Sequence, residues 1–189
     1  MSTNFYWKKM LKLNISARLL MLSILLISTI SSQAFAVEWR QDLPQAKLLG
    51  SGDLRWFGLH IYNAKLWSAA SNFDAKSPFA LELTYQRAIS RERFVDTSID
   101  EIKRLQGSSV SPELLQRWRK YMETAFTDVK HGEQLIGVNL PKIGCKFYSR
   151  DKLLAEINDP QFADAFFAIW FDPRSKDSNL RQQLIGAQP

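Results

Sequence analysis

Arg55, Tyr62, Asn63, Arg87 and Arg91 are the residues of this chain whose types and spacing can do chemistry together. A guanidinium stays charged and offers paired N–H donors, and a phenol adds one more donor. Facing an apolar cleft, such a set would hold a carboxylate or an enolate. The structural alternative is that Arg87 and Arg91 pair with Glu82, Glu92 or water, and the sequence leaves both readings open. Other chemistries lack their residues. Two histidines and one cysteine fall short of a zinc site, which wants about four ligands at close spacing. His60 falls in a strand and His131 beside a turn glycine, positions suited to structural or exposed roles. There is no G-x-S-x-G elbow, phosphate loop or dinucleotide fingerprint, so no metal and no cofactor is expected. Cys145, the only cysteine, has no intramolecular disulfide partner and is expected to pack as a small buried hydrophobe.

The elements that must position these residues follow from periodicity. Leu48 to Trp67 reads as two strands or one long bent strand, with Gly50, Gly52 and Gly58 marking turns or a bulge. Phe79, Leu81, Leu83 and Tyr85 alternate with polar or small residues, the pattern of a half-buried strand. Ser90 caps a helix from Arg91 to about Gln106, with Ile89 and Phe94 as its staple and Gly107 as its stop. The same grammar repeats at Ser111 and Pro112, opening a second helix whose larger apolar face predicts firmer packing. Strands are then expected over 127–130, 133–140, 143–149 and 153–157, broken by turns at His131-Gly132 and Pro141. Asp159-Pro160 opens a third helix, apolar on most sides and ended by Pro173, and a short helix over 178–184 closes the chain. Strands, helices, strands and helices in that order argue for an α+β domain, an antiparallel sheet with its helices on one face and the other face partly open.

The N-terminal segment carries a different message. Lys8, Lys9, Lys12 and Arg18 precede an apolar run from Leu19 to Ile30, and Ala34-Phe35-Ala36 gives a small-x-small cleavage pattern. That is the layout of a secretory signal peptide over residues 1–36, which makes the working domain 37–189 and its location periplasmic or secreted. The apolar run is shorter than the ~20 residues a membrane span needs, so no stable span is expected after cleavage; an uncleaved anchor is the alternative. Of 25 Lys+Arg and 19 Asp+Glu, four basic residues leave with the signal, so the domain's net charge is 21 − 19 = +2, too weak to suggest nucleic acid.

Three stretches carry a family resemblance: GLHIYNAKLW over 58–67, LELTYQRAIS over 81–90, and the chain from Asp128 onward, through DVKHGEQL, NLPKIGCKFY, DPQFADAFFAIWF and LRQQLIG. Together they resemble the bacterial chalcone-isomerase-like proteins, over about Pro44 to Gly186. The resemblance implies an open-faced β-sandwich, an antiparallel sheet covered on one face by helices with a ligand cleft between the layers. In the plant isomerases of this family a cleft arginine and a strand threonine act on the chalcone, with a tyrosine and an asparagine from the helical side. In the related fatty-acid-binding proteins a tyrosine replaces the threonine, and Tyr62 falls at that position here. Where the cleft arginine is expected the chain has Leu49 and Gly50, with Arg55 the nearest substitute, and no counterpart of the helical pair stands between Phe94 and Glu101. The resemblance therefore implies a non-catalytic binder of a small hydrophobic or fatty-acid-like ligand, held by Tyr62, Arg87 and Arg55. The alternatives are an isomerase on another substrate and an envelope protein that binds a partner through Trp39, Trp56 and Trp67. The binding reading requires a hollow between helices and strands that Phe162, Phe166 and Trp170 leave open.

Overall fold

Six strands, β1 (Lys47–Trp56), β2 (Leu59–Ser68), β3 (Phe79–Tyr85), β4 (Gln134–Leu140), β5 (Gly144–Ser149) and β6 (Leu153–Ile157), pair in chain order as one antiparallel sheet. The computed structural model describes residues 38–150 and 152–186; the expected export segment over 1–36 lies outside them. Four helices, α1 (Arg91–Gln106), α2 (Pro112–Ala125), α3 (Pro160–Phe171) and α4 (Ser178–Leu184), accompany the sheet. The architecture is the expected α+β one.

Local sequence sets the boundaries. Ser90 accepts from Arg93 N, Ser111 from Leu114 N, Asp159 from Phe162 N and Asp177 from Leu180 N, so each α-helix begins on a side-chain cap. Gly107 ends α1 at φ +58°, a backbone state glycine takes without strain. The stretch 48–67 resolves into two strands joined by a tight turn at Phe57-Gly58. Two expectations need correction. Residues 127–130 form no strand; Val129 makes only a bridge to Ile89, with N–H···O distances of 2.9 and 3.0 Å, because the chain is still returning from α2. Nor is α2 the better buried helix. It buries Trp118, Met122 and Ala125, whereas α1 buries Val95, Ser98, Ile99, Glu101, Ile102 and Leu105. α1 is wedged between α2 and α3, while Leu114, Leu115 and Tyr121 of α2 stay half-buried.

β3 is buried on both faces. Phe79, Leu81, Leu83 and Tyr85 join the core beneath the helices, and Ala80 joins a smaller cluster on the reverse face. That reverse face is more covered than expected: Trp39, Leu43 and Ala46, ahead of β1, pack with Ile136, Val138 and Tyr148. The Arg40 guanidinium lies 4.6 Å from the Trp39 ring centroid and 4.4 Å from that of Trp67, and Asp42 binds Lys146 Nζ at 2.8 Å and the Tyr148 hydroxyl. Cys145 is buried in the main core as expected.

β1 is covered by α4, and two glycines permit it. A Cβ on Gly50 would meet Gln183 O at 2.2 Å and Leu184 O at 2.3 Å, and one on Gly52 would meet Leu180 Cδ1 at 2.9 Å. Because the obstruction at Gly50 is backbone, Gly50→Ala forces α4 off the sheet edge and should cost about 1–3 kcal/mol, the scale of overpacking. Urea unfolding of the variant checks this, and loss of hydrogen-exchange protection confined to 178–184 would show that the helix has lifted.

Candidate functional site

The space between helices and sheet is filled by the protein's own rings. On α3, Phe162, Phe166 and Trp170 are each buried, and Phe167 seats over Gly137, where an added Cβ would lie 3.0 Å from its ring. The void left among Leu81, Leu83, Gly137, Phe147, Phe166 and Trp170 is about 10 Å³, room for one water at most. Tyr62 is sealed beneath this layer, and its hydroxyl accepts a hydrogen bond from Trp170 Nε1 at 2.9 Å. Burial pushes its phenol well above the usual tyrosine range, the Trp170 hydrogen bond offsetting this only in part.

Open space lies instead at one end of the sheet. A cavity of about 450 Å³ sits where β3 ends, β4 begins and the β5–β6 hairpin turns. Tyr85, Phe94, Phe126, Leu135 and Leu154 make its apolar wall, and Asp128, Glu133, Arg150 and Lys152 stand among its polar groups. The wall is built of edge-on rings: Tyr85 against Phe94 at 6.2 Å and Phe94 against Phe126 at 4.7 Å between centroids. Phe94 comes from the first turn of α1, Phe126 from the residue ending α2, and Tyr85 is fixed by backbone bonds to the turn at Gly132-Glu133, of 2.7 and 2.9 Å.

Charge around the cavity is unevenly engaged. The Asp128 carboxylate accepts from Arg91 N at 2.8 Å and that of Glu133 from Lys130 N at 2.9 Å, so both acids are spent on local backbone. Arg150 reaches only Gln134 Oε1, at 3.4 Å, and the Lys152 ammonium has no side-chain partner among the described residues. The buried Tyr85 hydroxyl likewise has no hydrogen-bond partner there, a cost of about 1–3 kcal/mol for a desolvated hydroxyl. Burial, with Tyr62 nearby, pushes this phenol well above its ordinary range too. Among the described residues no group of three or more His, Cys, Asp or Glu is placed to hold a metal.

None of the three expected ligand residues lines this cavity. Tyr62 lies under α3; Arg55 is exposed with its guanidinium 4.0 Å from Asp53; Arg87 is exposed beyond the end of β3. Asn63 turns to Asp53 at 3.1 Å, and Arg91 Nη1 to Glu123 O at 3.5 Å. His60 lies 3.1 Å from Asp53. Sequence reading passed over Tyr85, Arg150 and Lys152. The available signal was Tyr85 as the last inward position of an alternating strand, directly before a cap that starts a helix.

A helix-backed antiparallel sheet with a ring-walled cavity at one end is the architecture of an open-faced sandwich. The chain belongs to the chalcone isomerase-like family, whose model matches residues 44–186. Among solved structures it is similar to a fatty-acid binding protein of Arabidopsis thaliana, with a TM-score of 0.57 at 13% identity, covering 75% of this chain and 87% of that one. No curated protein matches it in sequence.

The two phenols predict opposite responses. Tyr62→Phe orphans the Trp170 N–H and should cost about 1–3 kcal/mol, whereas Tyr85→Phe removes an unpaired hydroxyl and should leave stability unchanged or raise it by up to about 1 kcal/mol. Paired denaturant melts decide between this order and its reverse.

Proposed function

We propose that this is an exported, non-catalytic binder of a small amphipathic acid, a fatty acid or a molecule of like build, held in the end cavity rather than between the layers. The observation that carries the reading is an open, ring-lined cavity whose wall includes Tyr85, a residue whose buried hydroxyl has no hydrogen-bond partner among the described residues. Its volume of about 450 Å³ lies inside the range of small-molecule sites, ~300–1,000 Å³. The apolar body of the ligand packs on Phe94, Phe126, Leu135 and Leu154, and its carboxylate meets Arg150, Lys152 and the Tyr85 hydroxyl. Family membership and the likeness to a fatty-acid binding protein support the ligand class. Burial raises both phenols further above neutral pH, so each stays protonated and able to donate a hydrogen bond. Export rests on the N-terminal layout of basic residues, apolar run and Ala34-Phe35-Ala36.

Displacement of a fluorescent fatty acid from the purified protein in buffer tests this. Arg150→Gln with Lys152→Gln should weaken binding by about 1–3 kcal/mol, as should Tyr85→Phe. Arg55→Gln and Arg87→Gln should leave it unchanged. Loss of affinity in the second pair but not in the first would move the ligand away from the cavity, and no uptake of any fatty acid would remove the function.

A further inference from the structure

The β1–β2 hairpin ends in a feature that the fold does not use. Trp56 is 62% exposed, Phe57 88% and Leu59 49%. The Trp56 and Phe57 rings lie 5.1 Å apart, and among the described residues this is the one ring contact either makes. Phe57 also sits at φ +48°, followed by Gly58 at +77°. Two successive positive φ values define a tight hairpin turn for which asparagine or glycine suits the first position. Phenylalanine there carries backbone strain and an exposed ring at once, and neither helps the domain fold.

The strand registers place this tip. Trp56 pairs with Leu59, Tyr62 with Tyr85, Thr84 with Gln134, Leu135 with Ser149 and Tyr148 with Leu153. The hairpin tip, the end of β3, the start of β4 and the β5–β6 hairpin therefore share one end of the sheet, the end that holds the cavity. Leu153, 40% exposed, adds a further apolar side chain. Exposed cations crowd the same end: Arg55, Arg87, Arg91, Lys130, Arg150 and Lys152. Among the described residues, the acids Asp53, Asp128 and Glu133 stand between them. These three acids are engaged within the chain: Asp53 with Asn63 and His60, Asp128 with Arg91 N, Glu133 with Lys130 N.

We propose that this end docks on an anionic lipid bilayer, Trp56 and Phe57 entering the headgroup region while the surrounding cations meet lipid phosphates, and that the cavity takes its ligand from that surface. An aromatic tip ringed by Arg and Lys is the chemistry of interfacial anchoring: indole and phenyl rings partition to the headgroup level, and each cation near an anionic surface strengthens the attachment. A projecting tip also suits a bilayer better than a flat protein face. No helix among the described residues is long and apolar enough to cross a membrane. Docking stands on the surface alone; ligand delivery rests additionally on the binding function proposed above.

The test uses the full chain. Because its residues 19–30 are themselves apolar, the readout must be local to the tip. Phe57→Cys, labelled with an environment-sensitive dye, serves, since Cys145 is 1% exposed and does not compete for label. Vesicles of phosphatidylcholine with phosphatidylglycerol should shift the dye emission to the blue, and phosphatidylcholine alone should not. Replacing Arg55, Arg87 or Lys152 by Gln should lower vesicle partition roughly fivefold for each charge removed, and Trp56→Ser should lower it further. Phe57→Gly should fold at least as stably as the parent yet bind vesicles more weakly, which a merely structural tip would not do. An unshifted dye on vesicle-bound protein, equal shifts with neutral vesicles, or a shift given only by a protein from an envelope extract would each overturn the proposal. Fatty-acid uptake in vesicle-free buffer is scored separately: its failure with docking intact removes delivery and the binding function while docking stands.

Discussion

The aromatic filling between α3 and the sheet is the constraint on which the rest depends. An open-faced sandwich can leave space between its layers or pack it. Here Phe162, Phe166, Phe167 and Trp170 come from one twelve-residue helix, and its three phenylalanine rings meet Phe147, Phe126 and Phe79. Burying each such side chain is worth roughly 1.5–3 kcal/mol, and edge-on ring pairs add about 0.5–1.5 kcal/mol beyond area. A hollow in the same place would forfeit several of these contacts. With no disulfide available to Cys145, stability has to come from this layer. Any ligand space is accordingly displaced to the end of the sheet, where α1 begins, α2 ends and no α3 ring reaches.

The same constraint explains the polar arrangement of the reverse face. With the sheet's helix-facing side chains largely apolar or aromatic, its charged and amide side chains are satisfied on the reverse face. Glu82, nearly buried, takes Trp67 Nε1 at 3.0 Å, Gln134 Nε2 at 3.2 Å and Lys65 Nζ at 3.5 Å. The segment ahead of β1 closes over these groups with Trp39 and Arg40, and Asp42 ties it to β5 through Lys146. Tryptophans that sequence reading offered as partner anchors therefore divide by environment. Trp39 is core and Trp67 is held by Glu82 and Arg40, whereas Trp56 alone of the three is free to reach outward.

Caps and alternation made most of the elements legible in the sequence. Ser90, Ser111 and Asp159 announce their helices through local bonds that need no tertiary context, and the period of β3 survives because both its faces are buried with different residue sizes. The failures share a different cause. The burial of α2 depends on which neighbours flank it, and the absence of a strand at 127–130 depends on how far the chain must travel to reach β4. The site was harder still. Tyr62 carries the family resemblance, but whether a strand tyrosine faces a cleft or a Trp170 indole is decided 108 residues away in sequence, and no local pattern encodes that.

Tyr62 and Tyr85 form a natural comparison, because they are paired across β2 and β3, with ring centroids 5.9 Å apart, and share the same helix-facing side. One is satisfied by an indole and belongs to the packing. The other keeps a desolvated hydroxyl that a phenylalanine would fill as well, without the cost. A core selected for stability alone would not retain it, since an unmade hydrogen bond in low dielectric is the expensive kind. Tyr85 lines the end cavity while its hydroxyl is buried without a partner among the described residues. Position and cost together make Tyr85, rather than the family's strand position at Tyr62, the polar group around which the proposed binding site is built.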